Sequence, residues 1–262
     1  MINGIYAGVD IGSVFCKAVI VKQEQILAYH IMPSGANYKL VADETLKEAL
    51  NKAGLSANDI AYIVATGYGA SSLPFANEVV TDITCQGMGI VHLFPSVRTV
   101  IDVGGQFSRV LNVDEAGKTK RFIVSDKCAA GSGRFLQVIA KVLQIDFDDI
   151  GQLSLKSKKR VDFNTGCAVF AETEAVARIA EGDSKEDILA GVHRALAASI
   201  ANLVERIKLE PECAVVGGGA KDIGLVKSLE ETLGLSLLIP TEPQIIAAFG
   251  AASIAGKKQR TN

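Results

Sequence analysis

The stretch Ile5-Tyr-Ala-Gly-Val-Asp10-Ile-Gly12-Ser13 decides the fold, because the chain repeats its pattern. Its apolar residues read as a buried strand that stops at an Asp-x-Gly turn. Two β-rich runs follow, Cys16 to Val21 and Ile26 to Met32, joined by a polar turn at Lys22 to Gln25. The sequence Arg98-Thr-Val-Ile-Asp102-Val-Gly104-Gly105 does the same: a strand, an Asp-x-Gly stop, then runs at Ser108 to Val113 and Lys120 to Ser125 about a turn at Asp114 to Gly117. Internal duplication accounts for both. It predicts an N-terminal lobe over residues 1–95, joined by a C-terminal helix at about 244–262, and a second lobe over 96–243.

Each hairpin leads into helical sequence. Leu40, Val41, Leu46, Ala49 and Leu50 recur at helical spacing within Tyr38 to Ala53, and Gly54 ends the run. Ile60 to Thr66 reads as a strand before Gly67-Tyr68-Gly69. In the second half helices are predicted at about Gly133–Leu143, Val169–Glu181, Lys185–Leu209 and Ile223–Leu233. A glycine turn, Val215-Val-Gly217-Gly218-Gly219-Ala220, separates the last two. A strand at Ser236–Ile239 and a helix at Gln244–Ala255 close the chain.

Composition narrows the function. With 262 residues, 48% hydrophobic and 21% charged, the chain can bury a large core. Lys and Arg total 27 against 29 Asp and Glu, a formal charge of −2 that gives no support for nucleic-acid binding. No run approaches the ~20 apolar residues of a membrane span, and the N-terminus lacks the basic residues and apolar run of a signal peptide. A cytoplasmic protein with no membrane partner is expected. Five widely spaced cysteines argue against a disulfide framework and leave core, catalytic or metal roles.

The Asp-x-Gly loops suit a nucleoside triphosphate. Glycine lets backbone N–H groups approach phosphate oxygens with no Cβ in the way. Gly12, Ser13, Gly104, Gly105 and Gln106 are therefore candidate ATP contacts, and Gly217, Gly218, Gly219 and Ala220 suit the adenosine end or the α-phosphate. A carboxylate repels phosphate, so Asp10 and Asp102 belong on Mg²⁺ or its waters. With Gln106 they are the candidate hydrolytic residues; no residue stands out as a general base. Neither a Gly-x4-Gly-Lys-Ser/Thr loop nor a Gly-x-Gly-x-x-Gly turn is present. The arrangement resembles the actin, sugar-kinase and Hsp70 ATPase superfold, an α/β fold of two duplicated β-β-β-α-β-α lobes with ATP in the cleft. That superfold hosts kinases, chaperones and filaments, so it does not fix the activity.

Two cysteines precede predicted helices: Cys128 in Ser125-Asp-Lys-Cys128-Ala-Ala-Gly-Ser-Gly133-Arg-Phe-Leu, and Cys167 in Asn164-Thr-Gly-Cys167-Ala-Val-Phe-Ala-Glu172-Thr-Glu174. A helix N-terminus favours thiolate and an anionic metal–sulfur group. Two thiolates cannot complete a four-thiolate [4Fe–4S] site; a two-fold dimer contributing both residues from each chain can. From spacing alone, two unconnected buried cysteines are the favoured reading. Cys16 and Cys213, in apolar strands, read as core, and Cys85 as core or helix packing. His30, His92 and His193 are isolated. Lys156-Ser-Lys-Lys-Arg160 reads as a solvated loop or as a docking point for an acidic partner.

The segments Asp126–Leu136 and Cys167–Glu174, with Ala65-Thr-Gly-Tyr-Gly69 and Val100-Ile-Asp-Val-Gly-Gly-Gln106, resemble the 2-hydroxyacyl-CoA dehydratase activators, or archerases. That wider family includes ATPase subunits of benzoyl-CoA reductase and the reductase of double-cubane cluster proteins. The resemblance implies a homodimer with one bridging [4Fe–4S] cluster on Cys128 and Cys167, one ATP/ADP site per chain, ferredoxin or flavodoxin as electron donor, and an iron–sulfur enzyme as acceptor. The family usually has Asp where this chain has Phe107, and commonly His where it has Gln86, which points to a divergent partner. A small-molecule kinase, such as an amino-sugar kinase, and a non-redox regulatory ATPase are the alternatives; both predict a protein without iron.

Overall fold

The computed structural model describes residues 4–125, 132–163 and 168–259. In chain order it runs β1 (Ile5–Ile11), β2 (Phe15–Lys22), β3 (Gln25–Pro33), α1 (Tyr38–Ala53), β4 (Ile60–Gly67), β5 (Glu78–Val79) and α2 (Asp82–Leu93). There follow β6 (Thr99–Val103), β7 (Ser108–Val113), β8 (Thr119–Val124), α3 (Gly133–Leu143), α4 (Ile150–Ser154), α5 (Ala168–Ala180) and α6 (Lys185–Ile207). Finally come β9 (Cys213–Val216), α7 (Ile223–Leu233) and α8 (Ile246–Lys258). The chain forms two compact units: residues up to Arg98 with Val113–Lys120 and Gln244 onward, and Thr99–Asn112 with Arg121–Pro243.

The first unit holds a sheet in the order β3-β2-β1-β4-β5. β1 is antiparallel to β2 and parallel to β4. Residues of β1 alternate between two apolar layers, as strand geometry requires. Ala7, Val9 and Ile11 cluster with Leu46, Ala49 and Leu50 of α1. Tyr6 clusters with Ala247, Ala248, Ala251 and Ala252 of α8. The small residues of α8 allow very close packing: a Cβ on Gly8 would overlap the Ala248 carbonyl, and one on Gly250 would overlap the carbonyl of Cys85 in α2. α1 is capped locally, by the Asn37 side chain accepting from Leu40 N–H at one end and by Gly54 at φ +68° at the other.

The second unit repeats the plan with a sheet in the order β8-β7-β6-β9. β6 is antiparallel to β7 and parallel to β9. Its core joins Ile101, Val103 and Val215 of the sheet to Phe135, Leu136 and Ile139 of α3, Ile188 and Val192 of α6, and Leu225 of α7.

Three features depart from the sequence-based picture. Ser236–Ile239 does not form a strand; Leu238 makes a single parallel bridge to Ala214, with Val215 N–H donating to the Leu238 carbonyl at 2.9 Å. Pro240 follows and has no N–H to extend a ladder. Helix α2 forms despite Gly87 and Gly89, which weaken its propensity and mask it in the sequence; a Cβ on Gly89 would overlap the Ile246 carbonyl of α8. Helix α6 is long and apolar enough to cross a membrane by length and composition, yet 72% of its apolar window is buried inside the protein, as in a core helix.

The α2–α8 contact yields a stability prediction. Gly250→Ala lowers the unfolding free energy by about 3 kcal/mol in denaturant titration, because the added methyl must push two helix backbones apart. An unchanged midpoint contradicts this packing.

Candidate functional site

Asp10 lies next to last on β1 and is almost fully buried. Its cross-strand neighbour on β2 is Lys17, whose Nζ donates to Asp10 Oδ2 at 2.9 Å. Its parallel neighbour on β4 is Thr66, after which the chain turns through Gly67 at φ +86°. A Cβ at Gly67 would overlap Asp10 Oδ1 and lie 2.6 Å from the Ile11 carbonyl, so glycine is required twice over, by conformation and by space. Gly12 N–H closes the loop on the Phe15 carbonyl at 3.0 Å, and the Gly12 carbonyl accepts from Ser34 Oγ at 2.7 Å. Ser13 is exposed at the turn.

The second unit builds the same device. Asp102, 4% exposed, pairs across β6–β7 with Arg109, whose Nε donates to Asp102 Oδ2 at 3.1 Å and whose Nη2 donates to the same oxygen. Val216 of β9 lies beside Asp102, and the chain turns through Gly217 at φ +84°. A Cβ at Gly217 would lie 2.5 Å from Asp102 Oδ1 and 2.6 Å from the Val103 carbonyl. Gly104 N–H closes this loop on the Phe107 carbonyl at 3.0 Å. Phe107 therefore does through its backbone what Phe15 does in the first unit. Gln106 is exposed beside it. Gly217 N–H is held by the Pro243 carbonyl at 2.9 Å, and Gly218–Lys221 form a short 3-10 turn. Asp222 then caps α7, accepting from Gly224 and Leu225 N–H, and its Oδ2 lies 2.8 Å from Nε2 of fully buried His193.

The structure thus gathers Asp102, Gly104, Gly105, Gln106 and Gly217–Ala220 around one strand end, and Asp10, Gly12 and Ser13 around another. Cys128 and Cys167 lie outside the described residues. Sequence reading missed Lys17, Arg109 and Gly67. The signal was present: a basic residue stands seven positions after each aspartate, and a glycine follows the parallel partner strand in each copy.

The other cysteines are poor ligands. Cys16, Cys85 and Cys213 are buried, and burial pushes the Cys16 thiol up to about 11 and the Cys85 and Cys213 thiols up to about 12. Metal ligation needs the thiolate. Among the described residues no group of three or more His, Cys, Asp or Glu is placed to hold a metal ion.

The basic run between the two cysteine motifs is pinned from below. Asp187 accepts from Ser184 Oγ at 2.6 Å, Ser157 Oγ at 2.8 Å, and the backbone N–H groups of Lys158 at 2.7 Å and Lys159 at 2.8 Å. The Ser184 hydroxyl first, then these other donors, hold the Asp187 carboxyl well below the usual carboxylate range.

The profile of the BadF/BadG/BcrA/BcrD ATPase family matches residues 7–255. The chain belongs to that family. It is 38% identical over 253 residues to the (R)-2-hydroxyglutaryl-CoA dehydratase activating ATPase of Acidaminococcus fermentans, covering 96% of each. It is 36% identical to the 2-hydroxyisocaproyl-CoA dehydratase activator of Clostridioides difficile, covering 95% of this chain and 93% of that one. A benzoyl-CoA reductase subunit of Thauera aromatica is 33% identical over 87% of this chain and 83% of its own. The crystal structure of the Acidaminococcus fermentans dehydratase component superposes with a TM-score of 0.95 at 36% identity, covering 98% of this chain and 99% of that one. The Clostridium difficile activator with bound ADPNP superposes at 0.93 and 35% identity, covering 98% of each. A ROK hexokinase from Thermus thermophilus matches at 0.55 and 13% identity over 97% of this chain and 99% of that one, which shows the shared fold alone.

Asp187 gives a pH-dependent prediction. Its folded-state pKa is depressed, so its stabilisation is present above the unfolded value of about 4 and is lost as pH falls through the lower folded value. Asp187→Asn is therefore less stable than wild type at pH 7 in denaturant titration, and the gap narrows below about pH 4. A gap that widens on acidification contradicts this assignment.

Proposed function

We propose that this chain couples ATP hydrolysis to low-potential electron transfer, as a homodimer that reduces an iron–sulfur partner enzyme. The partner is of the 2-hydroxyacyl-CoA dehydratase, benzoyl-CoA reductase or double-cubane kind, and ferredoxin or flavodoxin is the donor class. In this reading Cys128 and Cys167 from each of two copies hold one [4Fe–4S] cluster. When bound, that cluster supplies one-electron redox chemistry.

The observation that carries the reading is the packing of α3 on α5, the two helices whose first residues follow Cys128 and Cys167 in sequence. Phe135 and Leu136 of α3 share one buried cluster with Ala171 and Ala175 of α5. Donors on segments leading into two such helices fit a shared inorganic group. The remaining cysteines, held as neutral thiols by burial, do not compete for it. The homodimer finds support on α5, where Phe170, Val176 and Ile179 are 67%, 54% and 44% exposed. Exposed apolar side chains on the helix that follows the cysteine in sequence suit burial against a second copy.

The chain's own residues then have these roles. The Gly12, Ser13, Gly104 and Gly105 loops present backbone to phosphate, and Gly217–Ala220 support the nucleoside side. Asp10 and Asp102 have one oxygen engaged by Lys17 or Arg109 and the other packed against glycine, so they act on Mg²⁺ through its waters. Exposed Gln106 and Ser13 are free to meet phosphate or orient the attacking water. Nucleotide drives the cycle only through a difference in affinity for two conformations.

Anaerobically purified protein is expected to be brown and to carry about 4 Fe per dimer. Cys128→Ala and Cys167→Ala are each expected to lose most of that iron while remaining folded by circular dichroism. Variants that keep full iron content contradict the ligand assignment.

A further inference from the structure

We propose that Gly133 and Arg134 are positioning residues that transmit the state of the second phosphate loop to the cysteine-bearing segments; this rests on the function proposed above. Gly133 N–H donates to the Gly104 carbonyl at 2.9 Å, and Arg134 N–H donates to the Gly105 carbonyl at 3.2 Å. These are the first two residues of α3. The first amides of a helix have no partner within it. Ser132, at the N-cap, does not lend its side chain to them. The phosphate loop itself caps α3, and α3 in turn satisfies the loop carbonyls.

The first unit shows that this coupling is not a necessity of the fold. There the matching carbonyl, Gly12, accepts from the Ser34 hydroxyl at 2.7 Å, and the matching helix, α1, is capped by its own Asn37. Loop and helix are each satisfied by a local side chain and do not touch through hydrogen bonds of this kind. In the duplicated half that carries Cys128 and Cys167, both local devices give way to one direct joint. That joint lies five residues beyond Cys128 in sequence.

The joint is stiff on its far side. Phe135, Leu136, Ile139, Ala140 and Leu143 bury one face of α3 in the core, so the helix start does not fray independently. The same helix packs on α5, which begins directly after Cys167 in sequence, and Phe135 and Leu136 share a buried cluster with Ala171 and Ala175 of that helix. A displacement of Gly104 and Gly105 on exchange of a diphosphate for a triphosphate must therefore either break two hydrogen bonds or carry α3 with it. A single relay reaches both cysteine segments.

Position 133 allows a clean comparison. A Cβ there would lie 3.4 Å from the Gly104 carbonyl, an ordinary contact, so Gly133→Ala keeps both the space and the N–H. Gly133→Pro removes the N–H and places ring carbon against the Gly104 carbonyl. The site is otherwise suited to proline: it is the first helical position, and Ser132 before it is extended at φ −145°, ψ 168°.

The test uses the iron-loaded dimer and follows iron removal by a chelator with ADP or with a non-hydrolysable ATP analogue. Wild type and Gly133→Ala are expected to show removal rates that differ between the two nucleotides. Gly133→Pro is expected to keep its iron while that difference shrinks by about fivefold or more, the factor that one net hydrogen bond is worth. Gly133→Pro retaining the full difference overturns the proposal. A wild type without iron, or with identical rates for both nucleotides, overturns the functional reading and the relay with it. Where Gly133→Pro does not assemble, hydrogen exchange of the wild-type Gly133 and Arg134 amides decides: a nucleotide-dependent change in protection supports the relay, and identical exchange overturns it.

Discussion

A carboxylate buried at the end of a strand, paired with a cation on the next strand and overlaid by a glycine of positive φ, is the constraint around which each half of this protein is built. An unpaired buried charge is costly, and removing one partner of such a pair typically costs about 3–5 kcal/mol. The pair therefore fixes the register of two strands and the path of the chain leaving them. The glycine follows from the carboxylate: with Asp10 or Asp102 in place, no side chain fits at Gly67 or Gly217. The Asp-x-Gly loops are by-products of keeping these charges satisfied.

The two halves share this device and differ in its details. Lys17 engages Asp10 through one ammonium, a compact and rotatable charge. Arg109 engages Asp102 through two donors of a planar fork, which restrains both groups more tightly. The difference in helix capping runs the same way. In the first unit loop and helix are secured by their own side chains, whereas in the second they secure each other. Duplication supplied two Asp-x-Gly loops, and divergence joined the second of them to the start of α3.

Much of this was legible in the chain. The Asp-x-Gly stops, the hairpins behind them and the helices at Tyr38–Ala53, Gly133–Leu143 and Ile223–Leu233 follow from apolar periodicity and glycine or proline punctuation. What was hidden depends on contacts between distant residues. Helix α2 carries Gly89 where α8 lies against it and Gly87 where the turn at Gly117 does, so local propensity argued against a helix that tertiary packing requires. Lys17 and Arg109 looked like ordinary polar positions of strands until the antiparallel register set them opposite aspartates. Helix α6 passes a membrane-span test of length and hydropathy because a mostly buried core helix obeys the same composition rule.

The paired carboxylates can be tested most directly by calorimetric titration of Mg²⁺·ATP into wild-type protein and into Asp102→Asn. The account predicts that the variant, which keeps the shape of the side chain but not its charge, binds Mg²⁺·ATP about tenfold or more weakly, the scale of a lost charge-assisted contact. Equal affinities would mean that the buried aspartate only supports the sheet and has no part in holding the nucleotide and its metal.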